Sequence, residues 1–152
     1  MKLGIMQPYF LPYLGYWQLL AMVDKYIVLD DVNYIKGGWI NRNRILINGK
    51  VSYITVPVYG ASPNKKINEL ELYQKEKTFK RLYKTVNMGY KKAPYHQKAM
   101  YLLEQILTYE GQNLSDFLIH TIKIICRYLE INTELILASD IDPEKKLKGK
   151  ER

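Results

Sequence analysis

Three apolar runs near the start of the sequence constrain the fold more than any other feature. Residues 3–5 are apolar, residues 6–17 form a turn rich in proline and aromatic side chains, and residues 18–23 are apolar with helix-like spacing. Residues 26–31 are a further apolar run that ends abruptly in two aspartates. This order predicts strand, turn, helix and parallel strand, because two parallel strands need a long crossover connection between them.

The two most unusual segments of the chain follow the two predicted strands. In a βαβ unit, the turn after the first strand and the residues after the second strand lie at the same edge of the sheet. Open α/β sheets bind ligands at that carboxyl edge. We therefore expect Gln7 and Asp31 to lie side by side there, and we take this edge as the functional centre.

The rest of the sequence predicts a hairpin, one more short strand, a helical region and a returning strand. Asn48-Gly49 is the dipeptide that best accepts a type I′ turn, and the runs on either side of it have strand character. Residues 67–72 alternate like a short strand, and the period then changes to that of helices. The helical signals are an apolar stripe from Phe79 to Val86 with a stop at Gly89, a start near Pro94, and a start at Asn113 or Ser115 with Leu114, Leu118, Ile122, Ile125 and Leu129 turned inward.

The fold class is therefore α/β, with a mixed and mostly parallel sheet that starts with a βαβ unit, a β-hairpin and a cluster of three helices. The apolar run 134–138 returns as a strand and stops at Ser139 and Asp140. If that strand is parallel to the first two, Asp140 joins the same edge. We expect residues 1–141 to form one α/β domain and residues 142–152 to be a charged tail, the start of a truncated element.

The amino-acid composition indicates the cellular location of the protein and the chemical class of its partner. No apolar run approaches the roughly 18 residues of a membrane helix, and no signal-like segment opens the chain, so we expect a cytoplasmic protein. Cys126 is the single cysteine and lies in an apolar helical pattern, which favours a buried structural thiol. The formal net charge of +8 favours an anionic partner, and the fourteen tyrosines suit stacking on sugars or bases.

The turn of residues 6–17 supplies the first set of candidate binding residues. A turn between a strand and a helix N-terminus offers free backbone N–H groups to a phosphate. Gly15 would let a ligand or the neighbouring strand approach closely, and Gln7, Tyr13 and Tyr16 could reach the ligand. The alternative is a hydrophobic cap in which the aromatic side chains of the turn all pack inward.

The loop after the second strand supplies the second set. The acids Asp30 and Asp31, with Asn33, could ligate Mg²⁺, or Asp31 could act as a general base if burial raises its pKa. Arg42 and Arg44 would share one face of an extended segment and could clamp a phosphate or carboxylate. The alternative is an internal network of aspartates and arginines that fixes the loop. His96 and His120 lack metal-ligand spacing, so we expect no zinc site.

Two family resemblances follow from these segments. Residues 12–16 are similar to the Pro-His-x-Gly-His element of nucleotidyltransferases of the HIGH superfamily, with tyrosine in place of both histidines. Residues 6–16, 29–34 and 39–44 together strongly resemble the WbqC-like family, with shorter matches at residues 55–58, 93–95 and 139–140. That resemblance places Gln7, Pro8, Gly15, Asp30, Asp31, Asn33, Trp39, Asn41, Arg42 and Asn43 in the family's signature segments, and the family typically continues beyond the length seen here.

The resemblance implies a protein of bacterial surface-polysaccharide (O-antigen) biosynthesis, an acyl or aminoacyl (glycine) transferase that acts on an amino sugar. The expected partner is an anionic small molecule, a sugar nucleotide or an acyl donor; the residues identify no cofactor, and a homo-oligomer is possible. Alternatives are a nucleotide-binding nucleotidyltransferase-like enzyme and, less favoured, a non-enzymatic module that binds RNA or an acidic partner. We assign catalysis to Asp31, Gln7 and Arg42, and substrate binding to Tyr13, Gly15, Tyr16, Asp30, Asn33, Trp39, Asn41, Asn43, Arg44 and Asp140.

Overall fold

A computed structural model describes residues 1–141 of the chain, so the predicted tail of residues 142–152 lies outside the described residues. The elements are, in chain order, β1 (Leu3–Met6), α1 (Leu14–Met22), β2 (Lys25–Val28), β3 (Arg42–Ile47), β4 (Lys50–Thr55), a 3-10 helix (Ile67–Glu69), α2 (Lys75–Tyr90), α3 (His96–Ile106), α4 (Leu114–Tyr128), β5 (Glu134–Leu137) and α5 (Ala138–Ile141). The predicted mixed α/β fold is confirmed. Over this range no helix is both long and apolar enough to cross a membrane.

The central sheet is a parallel layer of three strands in the order β1-β2-β5. Met6 of β1 pairs with Val28 of β2, and Val28 pairs in turn with Leu137 of β5. The carboxyl ends of all three strands therefore lie at one edge, and the segments that follow them begin side by side. The inner face of this sheet carries Tyr26 and Val28, which are fully buried under α1 and the helical layer.

The predicted hairpin is confirmed, and its turn explains its register. Asn48 and Gly49 both have positive φ (51° and 75°), as a type I′ turn requires. The ladder extends from Ile47↔Lys50 to Arg42↔Thr55, so β3 begins earlier than its apolar run suggested. Because side chains alternate along a strand, Arg42 and Arg44 share one face, as expected.

The three predicted helices are confirmed, with two corrections in detail. Asn113 is the N-cap of α4, where its side chain accepts a hydrogen bond from the Asp116 amide at 3.2 Å. α2 ends at Tyr90, one residue after the predicted stop at Gly89, and a Cβ at Gly89 would be in ordinary contact, at 3.4 Å, with the Leu46 carbonyl oxygen of the hairpin. Leu129 is 45% exposed rather than buried, because α4 ends at Tyr128.

The strand predicted at residues 67–72 is wrong. Ile67–Glu69 form a 3-10 helix, and the Glu69 carboxylate accepts a hydrogen bond from the Lys66 amide at 2.9 Å. Only single bridges connect Leu72 to Val58 and Glu71 to Asn113. The apolar residues of the segment are nonetheless buried, namely Ile67, Leu70 and Leu72. The alternation therefore indicated burial correctly, but the segment has no neighbouring strand with which it could form a ladder.

The core between the sheet and the helices is rich in aromatic rings. Phe117 of α4 contacts Phe10 of the first turn at a centroid distance of 5.9 Å and Phe79 of α2 at 5.1 Å. Cys126 is buried on the same helix as Phe117, and burial raises the pKa of its thiol to about 11. The expectation of a buried structural thiol agrees with this position.

The raised pKa of Cys126 predicts a thiol that is unreactive in the folded protein. With a pKa of about 11, roughly one thiol in a thousand is ionised at pH 8, and burial blocks access to that fraction. We expect a colorimetric disulfide reagent at pH 8 to modify the folded chain at least ~100-fold more slowly than the chain unfolded in urea. Equal rates in the two states would contradict the burial of Cys126.

Candidate functional site

The carboxyl edge of the parallel sheet brings the first turn and the paired acids together. Leu29, the first residue after β2, donates its amide to the Met6 carbonyl of β1 at 2.9 Å. Gln7 therefore leaves β1 beside the point where Leu29 and Asp30 leave β2. Ser139 and Asp140 follow β5 at the same edge. The juxtaposition expected from the sequence is present.

Asp30 connects the strands at this edge. Its carboxylate is 2% exposed and accepts hydrogen bonds from the Ser139 hydroxyl at 2.6 Å, the Ser139 amide at 3.0 Å and the Asn68 side-chain amide at 3.3 Å. A buried carboxylate needs such donors, because its desolvation would otherwise be very costly. These contacts give Asp30 the role of a clamp between β2, β5 and the 3-10 helix.

Asp31 and Asn33 occupy the loop immediately after the clamp. Asp31 is 1% exposed, whereas Asn33 is exposed and bridges to Lys66. Backbone hydrogen bonds from Ile67 to the Val32 carbonyl (3.0 Å) and from Tyr34 to the Lys65 carbonyl (2.8 Å) hold the loop against the 65–67 segment. Within residues 1–141 no group of three or more His, Cys, Asp or Glu side chains is placed to hold a metal ion.

Asn41 and Tyr34 form a buried pair below the loop. The Tyr34 hydroxyl donates to the Asn41 side-chain oxygen at 2.7 Å, and the Asn41 side-chain amide donates to the Val56 carbonyl at 2.8 Å. Burial raises the pKa of Tyr34, more than the nearby Arg42 charge lowers it, so the hydroxyl stays protonated and keeps donating. Asn41, predicted to bind substrate, is placed by the structure inside the protein, where it connects the loop to the hairpin.

Tyr16 is another predicted site residue that lies in the protein interior. It is 1% exposed, and its hydroxyl donates to the Gln7 carbonyl at 3.2 Å. Burial, followed by the neighbouring Tyr26, raises the pKa of Tyr16, so the hydroxyl is neutral at physiological pH. The hydrogen bond to Gln7 joins α1 to the end of β1. The sequence predicts that both residues lie at the site, whereas the structure places the Tyr16 ring in the core.

A cleft lies beside this edge, between the first turn and the hairpin. It has a volume of about 260 Å³ and is lined by Tyr9, Pro12, Tyr13, Trp39, Asn43 and Arg44. Tyr13 is 66% exposed and Trp39 is 38% exposed, so both rings are available to a ligand. The Arg44 guanidinium lies 5.0 Å from the centroid of the Trp39 ring, which orients the charge toward an aromatic wall.

Asn43 fixes the shape of the cleft. Its side-chain amide donates to the carbonyl oxygens of Phe10, at 3.2 Å, and of Leu11. The Phe10 amide donates to the Ile40 carbonyl at 3.0 Å on the same side. The first turn and the start of β3 are therefore held together, and the two walls of the cleft do not depend on a ligand to bring them into contact.

Gly15 acts on the cleft through Tyr13. A Cβ at position 15 would lie 2.5 Å from the Tyr13 ring, so only glycine allows that ring to lie over the start of α1. The group that approaches Gly15 closely is therefore the Tyr13 side chain of the same turn. Gly15 itself does not line the cleft.

The two arginines of β3 have different roles. Arg42 donates to the carbonyl oxygens of Gly37 and, at 3.1 Å, Gly38, and its guanidinium lies 4.8 Å from the Tyr53 ring centroid. Arg42 thus closes the glycine loop, whereas Arg44 is exposed in the cleft. The structure makes Arg44 the better placed of the two for an anionic ligand, although Arg42 was assigned to catalysis.

The remaining predicted residues lie outside this cleft. Gln7, Asp31, Asn33 and Asp140 do not line it, and their predicted roles stay predictions. His96 contacts the Asn87 side chain at 2.9 Å, and His120 contacts the Gln105 carbonyl at 3.3 Å.

Two groups of residues were not predicted from the sequence: those that complete the lining of the cleft and those that hold the Asp30 carboxylate. Tyr9 and Pro12 line the cleft, and their place in the same turn as Tyr13 was the available signal. Ser139 and Asn68 hold the Asp30 carboxylate. Ser139 could have been found as the residue that follows β5 at the same edge, but nothing in the sequence pointed to Asn68.

The clamp predicts a large effect of Asp30 on stability. Asp30→Ala leaves the Ser139 and Asn68 donors without their acceptor, and we expect the free energy of unfolding to fall by about 3 kcal/mol. Ser139→Ala should cost about 1 kcal/mol. Asp140→Ala, an exposed acid nearby, is the control and should change the value by less than ~0.5 kcal/mol. Urea denaturation of the three variants measures these differences; equal stability of Asp30→Ala and the control would contradict the clamp.

Comparison with known proteins supplies the family. The model of the WbqC-like protein family matches residues 7–152. The chain is also 33% identical over 143 residues to Rv1507c, an uncharacterized protein of Mycobacterium tuberculosis; the match covers 93% of this chain and 62% of that relative. No solved structure matches the chain significantly. Since the family model matches all but the first six residues, the protein belongs to the WbqC-like protein family.

Proposed function

We propose that the cleft between Tyr13 and Trp39 binds an anionic sugar substrate, and that the protein transfers an acyl or aminoacyl group, such as glycyl, to an amino sugar in bacterial surface-polysaccharide biosynthesis. The observation that carries the proposal is the arrangement of Arg44 over Trp39 opposite the exposed Tyr13 ring. Family membership supports the general context, and the chain spans only 62% of the length of its mycobacterial relative.

The lining of the cleft fits a sugar that carries an anionic group. Aromatic rings present flat apolar faces with polar edges, which suits the CH-rich faces of a pyranose. Arg44 can bind a phosphate or a carboxylate through two parallel hydrogen bonds. A volume of about 260 Å³ is small for a ligand pocket and suits one ring rather than a whole nucleotide.

Basic side chains recur between the cleft and α2: Arg44 lines the cleft, Arg81 lines a second hollow, and Lys77 and Lys84 line a groove along α2. Tyr53 is the cross-strand partner of Arg44, and it also lines a second hollow of about 320 Å³ with Thr55, Arg81 and Thr85. Arg81 and Thr85 line in turn an open groove along α2 that includes Lys77 and Lys84. These basic side chains support a ligand that extends beyond one sugar ring through phosphate groups.

The transfer step places the chemistry at the carboxyl edge beside the cleft. The amine nitrogen of the sugar would attack the acyl carbon of the donor, the bond from that carbon to the donor's leaving group would break, and the amine would lose a proton to a base. Asp31, which lies at that edge, is our candidate for that base. In this arrangement the cleft binds and orients the acceptor.

A non-enzymatic role with an acidic partner or RNA is the second candidate. Six lysines and one arginine lie between residues 75 and 92, against one glutamate, which favours binding to a polyanion. Such binding would weaken steeply with salt and would depend on α2 rather than on Trp39. Nucleotidyl transfer of the HIGH type is less favoured, because Tyr16 is buried and neutral where that reaction uses an exposed cationic histidine.

Binding at the cleft predicts a fluorescence change from one tryptophan. Trp39 is exposed in the cleft, whereas Trp17 is buried and its indole N–H donates to the Pro12 carbonyl at 3.1 Å. Titration with a UDP-linked amino sugar should therefore alter Trp39 emission, and Arg44→Ala should weaken binding about 10- to 100-fold. Lys123→Ala, an exposed cation on α4, is the matched control and should bind like the wild type. Unchanged affinity in Arg44→Ala would remove the cleft as the binding site.

The role of Asp31 predicts loss of turnover without loss of binding. Asp31→Asn retains the shape of the side chain but cannot take up a proton, so kcat for acyl transfer should fall at least ~100-fold while the affinity for the sugar stays within about twofold. Glu104→Gln changes an exposed acid on α3 that belongs to neither site and should retain wild-type kcat. Wild-type kcat in Asp31→Asn would exclude Asp31 as the base; thermal melting of both variants checks that they are folded.

A further inference from the structure

The outward face of α2 carries a row of positive charges. Residues three and four apart lie on one face of a helix. At this spacing, α2 presents the exposed side chains of Lys77, Lys80, Arg81, Lys84 and Met88, which line an open groove of about 720 Å³. Lys91 has helical backbone angles and continues the row one turn beyond Met88. We call these six side chains the basic face of α2, and the face is about 20 Å long.

The opposite side of α2 fixes the direction in which the basic face points. Phe79 and Leu82 are buried in the core, and the Phe79 ring centroid lies 5.1 Å from that of Phe117 on α4. At the end of the helix, the Tyr90 hydroxyl accepts a hydrogen bond from the Leu46 amide of the hairpin at 3.1 Å. These contacts hold α2 along its length, so the basic face points away from the core.

The protein does not neutralise the charges of the basic face. The ion pairs formed within residues 1–141 all lie elsewhere, at the N-terminus and on the parallel sheet. Among the described residues that line the groove, Glu76 is the one acid, and Glu104 of α3 lines a neighbouring hollow with Lys80 and Lys84. Five cations therefore outnumber the two acids beside them, and charge complementarity selects an anionic partner.

Met88 distinguishes between anionic partners. It is 79% exposed and lies in the cationic row, one turn after Lys84 and one turn before Lys91. An apolar side chain in this position can enter the boundary between the headgroups and the acyl chains of a bilayer, where basic amphipathic helices bind. The described residues that line the groove include no aromatic ring on which a nucleic-acid base could stack. Four of the five cations are lysines, which act as point charges rather than as the planar donors that read bases.

We propose that the basic face of α2 docks the protein on a membrane surface that contains anionic phospholipids, with Met88 inserted among the headgroups. The helix axis then lies parallel to the membrane, because the whole row lies along one side of the helix. Each lysine or arginine near such a surface raises binding about fivefold, so five modest contributions multiply. This docking surface is separate from the cleft to which we assign sugar binding.

Sedimentation of the full chain with lipid vesicles tests the proposal. Vesicles of phosphatidylcholine with about 30% phosphatidylglycerol should bind the protein, whereas pure phosphatidylcholine should bind it at least ~10-fold more weakly. Replacing Lys80 and Lys84 by alanine should weaken binding about 25-fold. Replacing Lys50 and Lys123 by alanine removes the same charge from exposed positions elsewhere, and this control should bind like the wild type. Equal binding to both kinds of vesicle, or equal losses in the two double variants, would overturn the proposal.

A fluorescent label at position 88 separates a membrane from a soluble polyanion. Met88→Cys adds an exposed thiol, whereas Cys126 is buried, so a polarity-sensitive dye attaches at position 88. Its emission should shift to the blue on the anionic vesicles and stay unchanged with single-stranded RNA. An unchanged emission on vesicles, or RNA that binds more tightly than vesicles at equal phosphate concentration, would overturn the proposal.

One further variant keeps this proposal separate from the proposed function. Arg44→Ala changes the cleft and not the basic face of α2, so it should bind the anionic vesicles like the wild type. Loss of sugar binding with vesicle binding intact would contradict only the role of the basic face if it also followed from the Lys80 and Lys84 replacements. Wild-type sugar affinity in Arg44→Ala, with vesicle binding intact, would contradict the proposed function alone.

Discussion

The buried Asp30 carboxylate is the interaction on which the carboxyl edge depends. A carboxylate at 2% exposure is tolerated only when donors surround it, and here they come from Ser139, 109 residues along the chain, and from Asn68. The clamp joins the ends of β2 and β5 and brings the 3-10 helix against the loop that starts at Asp31. The position of Trp39 in the cleft follows from that loop, so a contact inside the protein sets the geometry of the surface beside it.

The signature segments contain residues with two different tasks. Asp30, Asn41 and Tyr16 hold the edge together from inside, through hydrogen bonds to other parts of the backbone or to polar side chains. Trp39, Arg44 and Tyr13 present their side chains to solvent in the cleft. A short polar motif at a strand end therefore does not distinguish a ligand contact from a structural one; burial and hydrogen-bond partners do.

Sequence reasoning succeeded where the physics is local and failed where it depends on distant partners. The βαβ unit, the Asn48-Gly49 turn and the Asn113 cap follow from periodicity and turn chemistry within a few residues. The strand predicted at residues 67–72 was wrong because alternation of apolar residues indicates burial, whereas a strand also needs a neighbouring strand to pair with. Arg42 and Arg44 share a face in any extended segment, and only the folded position of the Gly37 and Gly38 carbonyls decides that Arg42 is used internally.

The topology of the sheet determines which residues lie at its carboxyl edge and which lie on its faces. Parallel strands place the loops after β1, β2 and β5 at one edge, which concentrates polar side chains there, and crossovers in one direction leave the Ile27 face without helices. The polar site therefore lies where the strand ends meet, so its residues come from segments that are far apart in the sequence.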